Sequence, residues 1–322
     1  MVLLKKSTII LYSLSIPLQK KFILYKKRNC PKKEVRHYMI PIDDCKLLIS
    51  CCNHKGGLYL VQFKNQEYEM KKVLNVGCTG ITKYGSSFVV LSNSHGIFIL
   101  DENLKVIKNK ALSTELDLHG IAIDNDKAYI IETKTNSIGV YNLENNLERI
   151  DEIRFSPEND DVCHVNDLYI VNDKLYVSMF SNPPRKNLLS FASYFPNKTI
   201  HKGVILEYSL QERKVVKICY DKLLQPHSVL HYDDKMYYCV SGEFLVKRNE
   251  EGIFKCLGYT RGLAVRNQTM FIGQSESRQI PVLLKKHTNI LLDCGIYVHD
   301  ISTKLSSFIH IPSEEIYGIL VI

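Results

Sequence analysis

Six polar residues stand at the start of six apolar segments, and together their side chains could do chemistry. Each has Ile, Leu or Val two positions later; they are Thr79, His119, Asn166, His227, Arg261 and Tyr317. His164 lies two residues before Asn166, so in an extended segment both side chains point the same way. Imidazole suits zinc, copper, nickel or iron, and catalytic zinc commonly keeps three protein ligands and a water. The sequence therefore predicts a divalent, zinc-like metal held by His119, His164 and His227.

Two other interpretations of these residues stay open. In one, the histidines act as general acid or base, Arg261 holds a carboxylate or phosphate, and Tyr317 donates a proton. In the other, the polar groups only bond one another and water in a central channel. Glu132 is added as a carboxylate for a metal or for orienting a histidine. The predicted catalytic residues are Arg261, Tyr317 and Glu132, and the predicted ligand-binding residues are Thr79, Asn166, Arg261, Ser241 and Gln274.

Familiar catalytic and binding motifs do not occur in the sequence. It contains no Walker loop, no G-x-S-x-G, no G-x-G-x-x-G, no H-E-x-x-H and no zinc-finger spacing. This argues against a nucleotide-dependent enzyme and against a serine hydrolase of the nucleophile-elbow type.

The elements that position the polar residues repeat along the chain. The six openings are 40, 47, 61, 34 and 56 residues apart. The segments from Ile121, Leu168, Val229 and Leu263 each form a strand, a short polar turn and a second strand, with apolar residues alternating. An all-strand unit of this length predicts a six-bladed β-propeller, with the first strand of each blade along the central channel.

The last blade must be assembled from both ends of the chain. The C-terminal YGILVI has the form of an opening strand without partners, whereas CKLLISCC, GGLYLVQF and EMKKVL near the N-terminus lack an opening strand. Joining them closes the ring and removes free sheet edges. Two insertions, residues 181–202 and 274–293, should overhang the mouth of the channel where the six polar residues begin, and loops of this length are usually functional.

Charge divides the chain into a basic arm and a nearly neutral remainder. Residues 1–38 hold ten Lys or Arg and one acid, a net of +9, while the whole chain carries +8. We therefore expect an N-terminal arm over residues 1–40 and one propeller domain over residues 41–322. We do not expect the basic arm to bind nucleic acid. The apolar residues 8–18 are too few to span a bilayer. Ten scattered cysteines without C-x-x-C indicate a reducing compartment, so we predict a cytoplasmic protein.

Four short blocks resemble a known family. Residues 164–168 (HVNDL), 226–228 (PHS), 241–243 (SGE) and 260–264 (TRGLA) are similar to the H-x-N-D, P-H-S, S-G-x-G-E and R-G-L blocks of an uncharacterised bacterial propeller family. The likeness spans roughly residues 45–322, and the third block departs from the pattern because Glu243 follows Gly242 directly. More distantly, the blades resemble the gluconolactonase and strictosidine-synthase superfamily, whose enzymes hold calcium with Glu and Asn or Asp side chains. Asn166 is the only such residue among the six openings.

The predicted function is binding of a small polar, anionic ligand over the central channel. Its enzymatic version is metal-assisted hydrolysis or elimination, with the three histidines as ligands. The alternative is a non-catalytic propeller scaffold that binds a protein partner through the two insertions and the basic arm.

Overall fold

The structure, a computed structural model, describes residue 40 and residues 42–53, 55–184 and 202–322. These residues form six four-stranded antiparallel sheets. The innermost strand of each sheet packs against the innermost strands of two neighbouring sheets, and these contacts run through all six sheets back to the first. The chain is therefore an all-β, six-bladed β-propeller, which confirms the prediction.

The strands are grouped in blades numbered around the ring. Blade 1 holds β1 (Cys45–Cys51), β2 (Gly57–Lys64), β3 (Glu67–Leu74) and β24 (Ile316–Val321). Blade 2 holds β4 (Ile81–Tyr84), β5 (Ser87–Ser92), β6 (Gly96–Leu100) and β7 (Val106–Lys110). Blade 3 holds β8 (Leu118–Asp124), β9 (Lys127–Glu132), β10 (Ser137–Asn142) and β11 (Glu148–Arg154).

The other three blades continue the pattern. Blade 4 holds β12 (Val165–Val171), β13 (Lys174–Met179), β14 (Gly203–Ser209) and β15 (Lys214–Leu223). Blade 5 holds β16 (Pro226–Tyr232), β17 (Lys235–Val240), β18 (Leu245–Arg248) and β19 (Glu251–Lys255). Blade 6 holds β20 (Tyr259–Arg266), β21 (Thr269–Ser275), β22 (Gly295–Asp300) and β23 (Ser306–His310), and a short helix α1 (Ile280–Leu283) lies between β21 and β22. Three 3₁₀ turns are also described, at Thr114–Leu116, Thr133–Thr135 and Ser241–Glu243.

Blade 1 closes the ring as the sequence predicts. Its innermost strand, β24, pairs antiparallel with β1, and Ile319 stands opposite Ile49. Ile49 is fully buried and Ile319 is 8% exposed. The C-terminal strand therefore completes a sheet begun at the other end of the chain, and no inner edge is left unpaired.

Apolar packing between blades holds the inner strands in place. One buried cluster joins Val89 and Leu91 of blade 2 to Ile121 and Ile130 of blade 3. Every residue of β6 is buried, whereas the outermost strand β7 is largely exposed. The residues that open the inner strands lie at the end of these clusters. Polar side chains are therefore tolerated there without disturbing the apolar packing between blades.

Tight turns join the inner strands to their partners on the opposite face. Asn172, Asp173, Asp233 and Asp234 adopt positive φ in these turns. Asn and Asp tolerate this conformation better than other side chains, and two consecutive positive-φ residues fit the twist of a hairpin. These residues therefore serve turn geometry, as expected.

Some predictions concern residues that the structure does not describe. The basic arm, residues 1–40, lies outside the described residues except for residue 40, and so does most of the insertion at residues 181–202. The flanking strands do place that insertion between the second and third strands of blade 4. The nine described cysteines are free thiols. No helix in the described part is long and apolar enough to cross a membrane, and the cytoplasmic location stays a prediction.

Candidate functional site

A cavity of about 770 Å³ opens at the mouth of the channel where the inner strands begin, and we call it the mouth pocket. Five of the six opening residues line it: Thr79, His119, His227, Arg261 and Tyr317. A second ring comes from the residues two positions earlier in the six blades: Gly77, Asp117, His164, Gln225, Tyr259 and Glu315. Asp117, His164 and Gln225 of the second ring have positive φ, so the chain turns there into the inner strand, and both rings line the same pocket.

Tyr317 forms the floor of the mouth pocket. It begins in blade 1, and its hydroxyl donates a 2.8 Å hydrogen bond to the backbone carbonyl of Asn166 in blade 4, on the opposite side of the ring. The same side chain also lines the separate channel cavity that contains Asp167. Burial raises the pKa of Tyr317 well above its ordinary value, so this phenol keeps its proton. The predicted role of Tyr317 as proton donor stays a prediction.

One wall of the pocket carries two guanidinium groups that share a carboxylate. Arg261 Nη1 and Arg278 Nη2 both donate to Glu315 Oε1, while Asn53 Nδ2 donates to Glu315 Oε2 at 2.6 Å. The Glu315 side chain is 7% exposed and that of Arg278 is 64% exposed. Burial works against the ionised carboxyl, but the charges of Arg261 and Arg278 lower the pKa of Glu315 below its usual value. This wall therefore holds two positive charges and one negative charge.

The opposite wall belongs to blade 3 and carries a carboxylate and an imidazole. Asp117 Oδ1 accepts a 2.8 Å hydrogen bond from Asn93 Nδ2 and lies 3.4 Å from His119 Nε2. Burial opposes ionisation of Asp117, but its contacts with His119 lower its pKa below the usual value. Burial lowers the pKa of His119, although Asp117 partly offsets this. If Nε2 of the neutral ring carries the proton toward Asp117, the lone pair of His119 lies on Nδ1.

The hydrogen bonds of His227 also fix the tautomer of its imidazole. Its Nδ1 lies 2.9 Å from the carbonyl of Gln225 and 2.7 Å from Ser241 Oγ, and that hydroxyl donates to the carbonyl of Thr260. A carbonyl only accepts, so Nδ1 carries the proton and Nε2 carries the lone pair. Burial lowers the pKa of His227 well below its usual value, and the charge of Arg261 lowers it further. Nε2 is thus a buried, unprotonated base.

His164 completes the set of histidines, and an aromatic ring separates it from His227. Its Nδ1 lies 2.5 Å from Asp161 Oδ2, an arrangement that fixes the imidazole as a carboxylate does in a catalytic triad. The His164 ring centroid is 5.4 Å from that of His119 and 4.3 Å from that of Phe180, which in turn is 5.1 Å from that of His227. Within the described residues, no three His, Cys, Asp or Glu side chains are grouped closely enough to hold a metal ion. The three-histidine metal centre stays a prediction.

Three of the predicted site residues lie outside the mouth pocket. Glu132 is fully buried inside blade 3, where Arg149, Tyr141 and Ser137 bond its two oxygens. The side chain of Gln274 is hydrogen-bonded to the backbone of Leu257 and Asp293 and to the hydroxyl of Tyr297. Asn166 accepts from Tyr317 beneath the pocket. The pocket does contain Thr79, Ser241, Arg261, Tyr317, His119, His164 and His227.

Several pocket residues were missed by the sequence analysis. They are Asp117, Glu315, Arg278 and Phe180, and Asp161 behind the lining, which contacts His164, was missed as well. Asp117 and Glu315 stand two residues before His119 and Tyr317, the same spacing that singled out His164 before Asn166. That spacing could therefore have identified them. Arg278 lies in the insertion at residues 274–293 that was predicted to overhang the mouth, whereas nothing in the local sequence marks Phe180.

Comparison with known proteins supports the fold and a family. A family model described as a domain of unknown function (DUF4915) matches residues 54–322, and no curated protein matches the sequence. The chain is similar to a solved chain of a nidogen/laminin complex, with a TM-score of 0.58, 11% identity and coverage of 86% of this chain and 97% of that one. It is also similar to a luciferin-regenerating enzyme, with a TM-score of 0.52, 11% identity and coverage of 75% and 78%. At these identities the likeness shows the propeller fold alone.

Proposed function

We propose that this chain, which belongs to the DUF4915 family of domains of unknown function, binds a small anionic molecule in the mouth pocket. The observation that carries the proposal is the wall where Arg261 and Arg278 share the single carboxylate of Glu315. Within the described residues, Glu315 is the only ion-pair partner of either guanidinium. A carboxylate or phosphate that reaches this wall would meet unused N–H donors in the fork geometry that suits it.

The pocket also has the properties of a small-molecule site. Its volume of about 770 Å³ lies within the range of roughly 300–1,000 Å³ found for such sites. The side chains of Arg261 and Glu315 are 13% and 7% exposed, so charge pairing here is screened less than at the surface. Buried polar atoms that line the pocket have no partner in the described residues, and leaving such atoms unpaired is costly.

Acid–base chemistry is a second candidate, favoured by one observation. His227 offers an unprotonated Nε2 beside the positive wall, as a general base would. The metal-assisted hydrolase or lyase also remains a prediction, and elemental analysis of the purified protein tests it. A stoichiometric transition metal would support the metal centre. If none is found, anion binding and acid–base chemistry stay as the candidate functions.

The binding proposal is tested with simple anions and matched arginine variants. The probes are malonate and inorganic phosphate, followed by calorimetric titration and by thermal stabilisation. We expect at least one to bind the wild type, and Arg278→Ala to weaken that binding about tenfold, which is roughly 1.4 kcal/mol. The control is Arg266→Ala, because Arg266 ends the strand that Arg261 opens and lies in a groove on the opposite face.

Arg261 itself needs a milder change. Removing its charge leaves the buried Glu315 with the largely exposed Arg278 as its remaining cation, which is strongly destabilising for a buried pair. Arg261→Lys keeps the positive charge and removes the planar fork, and its binding is measured only on folded protein, checked by circular dichroism. The proposal fails if neither probe binds the wild type, or if Arg266→Ala weakens binding as much as Arg278→Ala does.

A further inference from the structure

Most of the buried side-chain atoms that lack a partner in the mouth pocket are hydrogen-bond acceptors. Among the pocket-lining side chains, the buried atoms without a partner in the described residues are Thr79 Oγ1, Asn93 Oδ1, His119 Nδ1, His227 Nε2 and Gln279 Oε1. The amide of Asn93 cannot be turned round, because its Nδ2 donates to the carboxylate of Asp117. The two imidazole nitrogens are lone-pair atoms in the tautomers given above. A hydroxyl such as Thr79 can act in either sense.

A simple anion would leave these acceptors unsatisfied. Carboxylates and phosphates offer lone pairs, which suit the arginine wall and repel the imidazole lone pairs and Asp117. The ligand must therefore also bring N–H or O–H donors. Among groups that donate several hydrogen bonds, an ammonium brings three and carries the charge that Asp117 attracts.

The charges of the pocket are balanced and are separated across the channel. Within the part of the chain that the structure describes, its lining holds two arginines, Arg261 and Arg278, and two carboxylates, Asp117 and Glu315. Glu315 is paired with the two arginines. The Asp117 side chain is 40% exposed, and its partners in the described residues are Asn93 and His119, both uncharged when the imidazole is neutral. Arg261 opens blade 6 and Asp117 precedes blade 3, so they lie on opposite sides of a ring of six, with two blades between them in either direction. One pole is positive and the pole facing it is negative.

We infer that the ligand of the mouth pocket is a small zwitterion of the amino-acid class, with its carboxylate at the Arg261–Arg278 wall and its ammonium at the Asp117–His119 wall. This inference rests on the proposed function, since it keeps the anion-binding wall and adds the opposite one. The ammonium donates to Asp117, and the carboxylate accepts from the guanidinium groups. The ring of Tyr317 lies between the poles, 5.4 Å from the His119 ring centroid and 5.2 Å from the guanidinium carbon of Arg261, and offers an apolar surface to the rest of the ligand.

A ligand series on the unmodified protein tests the inference. The proteinogenic amino acids are screened one by one for thermal stabilisation. The best binder is then compared with its deaminated acid and with its decarboxylated amine, which keep the same side chain. We expect each truncated compound to bind at least tenfold more weakly than the amino acid. If no amino acid binds, or if the deaminated acid binds as tightly, the inference is wrong.

The variant Asp117→Asn locates the ammonium end. The change keeps the size of the side chain and removes its charge. It should weaken binding of the amino acid about tenfold and leave binding of the deaminated acid unchanged. Asp124→Asn is the control, because Asp124 ends the strand that follows Asp117 and lies on the opposite face. Equal effects of Asp117→Asn on both compounds would contradict the assignment.

The outcomes separate the two proposals. If malonate or phosphate binds through Arg278 but amino acids bind no better than their deaminated acids, the anion site stands and the zwitterion is wrong. If neither the simple anions nor the amino acids bind the wild type, both proposals fail.

Discussion

Acidification should destabilise this protein through His227, and the size of the effect follows from its surroundings. The residue is 4% exposed, and burial together with the charge of Arg261 keeps its pKa well below the usual value. In the unfolded chain the imidazole titrates near about 6.5. Between these two pKa values the unfolded state binds a proton and the folded state does not. The contribution of His227 is therefore fully present above a pH of about 6.5 and is lost as the pH falls below it.

Between the two pKa values of His227, the loss in the free energy of unfolding is set by protonation of the unfolded state alone. A histidine that protonates only when unfolded lowers the free energy of unfolding by RT ln(1 + 10^(6.5 − pH)), which is about 0.1 kcal/mol near pH 7.5 and about 1.4 kcal/mol near pH 5.5. His227 should thus remove about 1.3 kcal/mol between these conditions. His119 acts in the same direction, because burial also lowers its pKa.

Urea unfolding at the two pH values, after treatment with EDTA, measures the effect. The variants are His227→Gln and, as a control, His231→Gln, which lies towards the opposite end of β16. The loss of stability on acidification should be about 1.3 kcal/mol smaller in His227→Gln than in the wild type, and unchanged in the control. If His227→Gln loses as much stability as the wild type, the buried neutral imidazole is refuted.

Three further predictions concern the frame of the site. Deleting residues 319–322 removes the second half of β24 and should lower the free energy of unfolding by at least about 3 kcal/mol, measured by urea unfolding; an unchanged midpoint would contradict ring closure by this strand. Tyr317→Phe leaves the buried carbonyl of Asn166 without its 2.8 Å donor and should cost about 1–3 kcal/mol in the same assay, whereas no loss would argue against the floor contact. Arg149→Ala should cost about 3–5 kcal/mol because it leaves Glu132 buried without its cation, and anion binding should stay unchanged in folded protein; weaker binding would contradict the placement of Glu132 outside the mouth pocket.

The period of two along each inner strand made the fold and most of the site predictable. It identified the opening residues, and the predicted joining of the two chain ends is seen in the pairing of Ile319 with Ile49. The same sequence spacing, two residues before the opening residue of a blade, also gives Asp117 and Glu315, although the backbone at Asp117 is left-handed and not extended. Side-chain contacts across the channel could not be predicted, because they depend on side-chain length and strand tilt. Tyr317 reaches the blade opposite to its own, and Asn166 is covered by that contact instead of facing a ligand.

Glu132 shows why a residue at the predicted rim can turn away from the channel. Its position at the end of β9 suggests the mouth, but Gly139 on the neighbouring strand β10 has no side chain. A Cβ at Gly139 would lie 2.2 Å from Glu132 Oε1, so the carboxylate occupies the space that the glycine leaves. There it meets Tyr141 of β10 and Arg149 of β11, which compensate its charge inside the blade. A negative charge is thereby kept out of the mouth pocket, and Asp117 is left as the carboxylate that faces the arginine wall from the other side.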